Sequence, residues 1–230
     1  MKPATHHARV ESQQGTFDII VRPCIGAKRV IINYPGHRGS ARGYNRKYDR
    51  ISEYVVATEL GAFIQMPNIS WGIHYASTLI DDLLTVVDFV QRNISCITAV
   101  PGPELCLAGF SAGGGAVVAA AHEARAEKIL LMAPSRDAAA HKIDAGLDAF
   151  TGELHVVVGD QDNVVSPDVA HSFASRAKSA RSVKAVVLPD CDHQFRGEAN
   201  GRIISQAYHW AFGDEAIDFP NPDAGIWLYD

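Results

Sequence analysis

The run Gly109-Phe110-Ser111-Ala112-Gly113 limits the folds open to this chain more than any other feature. The residues before it, Glu-Leu-Cys-Leu-Ala at 104–108, are mostly apolar and read as a short buried strand. The residues after it, 114–126, are rich in Ala and Val and read as a helix. A strand that turns at once into a helix lifts the intervening side chain off the sheet edge in a strained conformation. Glycines must flank that side chain, because a Cβ there would collide with the neighbouring strand or helix. Ser111 is thereby placed at a helix N-terminus, where the backbone N–H of Ala112 and the helix dipole favour developing negative charge. The pattern also arises by chance, and by itself it reads equally as a Gly-rich turn with an N-cap serine.

The segments that follow give it more weight. A nucleophilic serine needs a base, and the base needs an acid to orient it. Residues 154–158, Leu-His-Val-Val-Val, read as a strand and run into Gly159-Asp160-Gln161-Asp162-Asn163-Val164-Val165-Ser166-Pro167. A carboxylate just past that strand shares a sheet edge with Ser111, and Asp160 and Asp162 both qualify. Residues 183–188 read as another strand, and Pro189-Asp190-Cys191-Asp192-His193-Gln194-Phe195 places a histidine in the loop after it.

Strand–Ser, strand–Asp and strand–His in that chain order resemble the α/β-hydrolase superfamily. The resemblance runs from about residue 16 to about residue 212 and rests on GFSAGG at 109–114, GDQDNVVSP at 159–167 and DHQF at 192–195. It implies Ser111 as nucleophile, Asp162 as acid and His193 as base. The family usually takes its acid from the second carboxylate of such a turn, which leaves Asp160 to cap it. Asp192 is a weaker rival, because adjacent residues seldom orient one another. The implied fold is a three-layer α/β-hydrolase fold with a mostly parallel sheet, helices on both faces and little or no cap domain.

A coarse pass along the chain agrees with that architecture. Strands are expected at 16–22, 29–34, 62–66, 104–108, 128–133, 154–158 and 183–188, about seven in all. Helices are expected at 45–60, 77–93, 114–126, 167–180 and 199–212, and Leu79, Leu83, Val86, Val87 and Val90 recur at helical spacing in the second of these. Strands alternating with helices imply parallel pairing, and near-continuous apolar strands imply burial on both faces. Only residues 135–152 are available for an insertion over the site, with one short helix at 136–147, so an open site is expected. The chain reads as one domain over 1–230, with 1–15 as a mobile N-terminus and 214–230 as an apolar C-terminal extension. That extension is expected to fold back on the domain or to dock on another subunit in a homodimer.

Composition narrows the partners. The net charge of −5 lacks the basic excess that nucleic-acid binding needs. No apolar run reaches 18 residues, so no transmembrane helix is expected, and residues 1–7 lack the apolar core of a signal peptide. Cys24, Cys96, Cys106 and Cys191 have no metal-ligand spacing and read as reduced thiols of a cytoplasmic protein. No metal or organic cofactor is implied. His6 and His7 fall in the N-terminal segment, and His122, His155, His171 and His209 fall within expected elements, where packing or surface roles suffice.

A second oxyanion donor normally comes from the loop after an early strand. Here that loop is Asn33-Tyr34-Pro35-Gly36-His37-Arg38-Gly39-Ser40, a departure from the family's commoner His-Gly, with the N–H of His37 as first candidate and that of Arg38 second. Arg38, Arg42, Arg46 and Lys47 follow in a basic cluster, and Arg136 lies beyond another strand at the same edge. They are expected either to receive an anionic group on the substrate or to form a solvated surface paired with Asp49 and Glu53. Asn68, Trp71, His74 and Tyr75 are expected either to wall the pocket or to anchor their loop on the core.

The resemblance implies acyl transfer through a serine acyl-enzyme, with a small carboxylic ester or lactone as first substrate class. Thioesterase, small-amide or peptide hydrolase and acyltransferase activities use the same residues. A non-catalytic ligand-binding role is the reading from a different class. Dienelactone hydrolases carry Cys as nucleophile, so that activity does not transfer to Ser111.

Overall fold

The structure is a computed structural model that describes residues 4–69, 75–136 and 140–228. Eight strands form one sheet in the order β1-β2-β4-β3-β5-β6-β7-β8. They are β1 (His6–Ser12), β2 (Gly15–Arg22), β3 (Arg29–Tyr34), β4 (Ala62–Gln65), β5 (Glu104–Phe110), β6 (Lys128–Met132), β7 (Glu153–Gly159) and β8 (Ser182–Leu188). The pairs β1–β2 and β2–β4 are antiparallel, and all pairs from β4 through β8 are parallel. In β3, β4 and β6 every residue is buried, as a sheet covered on both faces requires.

Two apolar clusters lie on the two faces of the sheet. One gathers α2 (Tyr75–Arg92), α4 (Ala112–Ala120), α5 (Ala140–Ala149) and α6 (Asp168–Arg176) against Ile32, Leu107, Leu131 and Val156. The other gathers α1 (Lys47–Ala57) and α7 (Glu198–Phe212) against Ile31, Cys106, Leu130 and Val157. Alternate residues of each strand go to opposite clusters, the period-two rule of a pleated strand. A short helix, α3 (Ile94–Ile97), completes the set.

The structure corrects two expectations. The mobile N-terminus expected over 1–15 contains β1, which pairs with β2 from His6↔Val21 to Ser12↔Gly15, with Arg9 against Asp18 across the hairpin at 3.0 Å. The helix expected over 45–60 is broken near its start. Asn45 (φ 50°) and Arg46 (φ 58°) are left-handed, so a single 3-10 turn at Tyr44–Arg46 precedes α1.

The C-terminal extension folds back onto α7. Leu228 is fully buried, Phe219 stacks on Trp210 at 4.4 Å, and Ser205 Oγ accepts the N–H of Ile226 at 2.8 Å. Between β6 and β7 the described residues carry only α5, so no separate cap layer is built there. Because β3 and β5 through β8 all run parallel, their C-terminal loops meet along one sheet edge.

Candidate active site

Ser111 follows β5 directly and opens α4. Its φ of 53° and ψ of −120° lie where non-glycine residues rarely go, a strain held in place by the surrounding structure. Its backbone N–H donates to Met132 O at 3.0 Å, and its carbonyl accepts from Gly115 at 3.2 Å and Ser135 at 3.0 Å. The flanking glycines answer to close contacts. A Cβ on Gly109 would stand 2.6 Å from Gly114 Cα, and one on Gly113 would stand 2.3 Å from Tyr34 O. The sharp turn and the tight seating of α4 against β3 are therefore one requirement.

His193 joins the other two groups. Its Nε2 lies 3.2 Å from Ser111 Oγ, and its Nδ1 lies 2.8 Å from Asp162 Oδ2. The Asp162 carboxylate is fully buried, and its Oδ1 accepts the backbone N–H groups of Val164 (2.8 Å) and Val165 (2.7 Å). Two backbone donors fix the carboxylate, so Oδ2 is left to accept Nδ1–H, which makes Nε2 the acceptor for the serine hydroxyl. Phe110 packs its ring 5.2 Å from the imidazole and 6.2 Å from Phe195.

The rival carboxylates are used elsewhere. Asp160 Oδ1 accepts the N–H of Cys191 at 3.4 Å, and Asp192 Oδ1 accepts those of Gln194 (3.1 Å) and Arg196 (3.0 Å). Both carboxylates therefore cap turns. Cys191 is fully buried, and burial, then Asp192, Asp160 and Asp162, pushes its thiol up to about 12. A thiol with that pKa stays protonated and is not a nucleophile near neutral pH.

The loop after β3 lies against the serine. A Cβ on Gly36 would stand 3.0 Å from Ser111 Cβ. The next residue, His37, opens a tight turn closed by the N–H of Gly39 on Gly36 O at 2.9 Å, with Arg38 in a left-handed conformation (φ 56°). Asn68 is buried and braces this loop. Its backbone N–H donates to Gly39 O at 2.8 Å, and its side-chain amide donates to Pro35 O at 3.4 Å. Ala112 is buried at the first position of α4, next to the serine.

The basic residues divide. Arg42 (2.7 Å) and Arg46 (2.9 Å) both bind Asp49 Oδ2, and the buried Arg22 lies 3.9 Å from Asp49 and 3.4 Å from Glu53. Asp49 also accepts from Gln65 at 3.1 Å. Burial opposes ionisation of Asp49, but the Gln65 bond and the arginines outweigh it and hold the carboxyl below its ordinary pKa. Arg42 is thus tied up in a charge cluster around the buried Asp49. Arg136 binds Asp144, donates to Ser172 Oγ at 3.4 Å and lies over the Phe173 ring at 5.4 Å. It lines a cavity of about 300 Å³ with Ser135, Val164 and Val165. Arg38 is exposed in the β3 loop. Trp71 and His74 lie outside the described residues.

The sequence places Lys47 in the basic cluster but does not separate it from the arginines around it. Lys47 is the first residue of α1 and is buried. Its ammonium stands 4.5 Å from the centroid of Phe110 and 5.1 Å from that of Tyr48. The available signal was its spacing. Lys47, Ile51 and Val55 fall at i, i+4 and i+8, which puts a cation on the apolar stripe of α1. Among the described residues, no group of His, Cys, Asp and Glu could hold a metal ion, and no helix is long and apolar enough to cross a membrane.

No family model matches the chain, and no curated protein matches its sequence. Solved structures do resemble it. A dienelactone hydrolase from Anabaena variabilis is 17% identical, with a TM-score of 0.74 over 91% of this chain and 97% of that one. An esterase from Pyrococcus furiosus is 12% identical, with a TM-score of 0.73 over 92% of this chain and 94% of that one. A lidless α/β serine hydrolase from Xanthomonas campestris is 20% identical, with a TM-score of 0.65 over 89% of this chain and 92% of that one. The parallel sheet, the strand order and these likenesses together give the chain the α/β-hydrolase fold with a minimal cap.

Proposed function

We propose that the chain is a serine hydrolase that cleaves a small carboxylic ester or lactone through an acyl-enzyme. One observation carries this reading: a buried, doubly anchored carboxylate orients an imidazole whose other nitrogen meets a serine on a strained strand–helix turn. A binding module has no use for that strain, which costs on the order of 1–3 kcal/mol. The esterases and the dienelactone hydrolase among the similar structures agree with ester chemistry.

In this reading Ser111 Oγ attacks the ester carbonyl as His193 Nε2 takes its proton. Asp162 holds the imidazole in the required tautomer and stabilises the imidazolium. The N–H groups of Ala112 and His37 receive the oxyanion, an interaction of about 3 kcal/mol per donor in sites of this kind. The imidazolium then protonates the leaving alkoxide, and a water activated by His193 releases the acid.

The test is hydrolysis of p-nitrophenyl esters from acetate to octanoate by the wild type and by Ser111→Ala. Wild-type turnover that the substitution abolishes, with a preference for short chains, is the expected result. Equal rates from both proteins would contradict a serine mechanism.

A further inference from the structure

Beside the site lies a cavity of about 660 Å³ lined by Tyr44, Asn45, Lys47, Gln194, Arg196 and Trp227. It is bounded by the segment that leads into α1 and by the loop that carries His193. Its lining bears two cations, Lys47 and Arg196, and no carboxylate, in a chain whose net charge is −5.

Lys47 is the telling residue. It is 7% exposed, and among the described residues no carboxylate or hydrogen-bond acceptor meets its ammonium. The nearest acid along the chain, Asp49, is already engaged by Arg42 and Arg46. The faces of Phe110 and Tyr48 offset part of the desolvation, which is still enough to lower its pKa to about 8. Near neutral pH the ammonium is therefore largely charged, with its three donors unused. A buried cation without a counter-ion is costly, and such positions usually hold a partner. The same residue opens α1, whose N-terminus has no side-chain cap and whose dipole favours an anion. Arg196 stands at the mouth, highly exposed and only loosely paired with Asp192 at 3.4 Å.

The cavity is also in the right place. Phe110 joins the ammonium to the imidazole, at 4.5 Å and 5.2 Å respectively, so the two cannot be more than about 10 Å apart. We propose that this cavity is a carboxylate subsite, in which Lys47, assisted by Arg196, binds the free acid group of a substrate whose ester carbonyl lies at Ser111. The preferred substrate is then the monoester of a short dicarboxylic acid. This inference rests on the serine-hydrolase reading for its chemistry, but the anion site can be tested without it.

Two measurements do so. The first is kcat/KM for p-nitrophenyl hydrogen glutarate relative to the neutral p-nitrophenyl butyrate, in the wild type, Lys47→Met, Lys47→Arg and Arg196→Gln. The wild type should prefer the anionic ester at least tenfold. Lys47→Met should lower that ratio at least tenfold through KM, Lys47→Arg should keep most of it, and Arg196→Gln should lower it less. The second is calorimetric binding of glutarate and of inorganic phosphate to wild type and Lys47→Met, read whether or not any ester turns over. Glutarate binding that Lys47→Met removes supports the subsite even if the hydrolase reading fails. A wild type that turns over esters, shows no preference for the anionic one and binds no glutarate overturns the subsite and leaves the hydrolase reading standing. Equal losses on both esters in Lys47→Met, or phosphate bound in preference to glutarate, would also overturn it.

Discussion

His155 offers a quantitative test of how β7 is held, and β7 leads into the Asp162 turn. The residue is 1% exposed, its Nδ1 has no hydrogen-bond partner among the described residues, and its ring meets Trp210 edge-on at 4.6 Å. The charged groups acting on it are Lys184, its register partner on β8, Lys128 on β6 and Glu153 at the start of β7. Burial, then Lys184, with a smaller push from Lys128, lowers its pKa from 6.5 to about 4, while Glu153 opposes the shift. The folded state thus resists a proton that the unfolded chain accepts below pH 6.5. Stability is complete above the unfolded pKa and is lost as the pH falls toward the folded one. At about 1.4 kcal/mol per pKa unit the whole span is worth about 3 kcal/mol, of which about 2 kcal/mol falls between pH 7 and pH 5. The assay is urea unfolding of wild type and His155→Leu at both pH values. All other groups titrate alike in the two proteins, so wild type should lose about 2 kcal/mol more than the variant. Parallel losses would refute the account of a neutral, unsatisfied imidazole inside the sheet.

Two further outcomes follow from the site. Asp162→Asn should keep the fold, because its side-chain oxygen can still accept from Val164 and Val165, but it should lower kcat on the order of 10³–10⁴-fold by releasing the histidine tautomer; steady-state kinetics with a matched unfolding curve checks both halves. Iodoacetamide applied to the native protein should modify Cys96, the exposed thiol, and leave Cys24, Cys106 and Cys191 untouched until denaturant is added, as peptide mass mapping would read directly.

Much of the fold was legible in the sequence because its constraints are local. Gly109 and Gly113 are required by contacts within a few residues or with the adjacent strand, and the apolar runs of β3, β5 and β6 announce burial on both faces. What escaped had a weak local signal or depended on backbone strain and side-chain packing. In β1 the apolar alternation is only Ala8 and Val10, and only Val10 is buried, too little to mark a strand without its hairpin pairing to β2. Left-handed Arg46, which delays the start of α1, has no marker in its residue type. Spacing along the chain leaves both Asp160 and Asp162 open, because both follow β7, and it is the family resemblance that favours Asp162. In the structure the backbone donors of Val164 and Val165 anchor Asp162 while the loop after β8 engages Asp160. Lys47 stood in plain view within a basic cluster, but only the packing of α1 against Phe110 separates it from the arginines that bind Asp49.

The central claim is that Ser111 is an activated nucleophile. Covalent labelling by a fluorophosphonate, followed by mass mapping, tests it without a choice of substrate. The account predicts stoichiometric modification of Ser111 in the native wild type, lost in His193→Ala and after unfolding. A native protein that leaves Ser111 unlabelled while its fold is intact would contradict it.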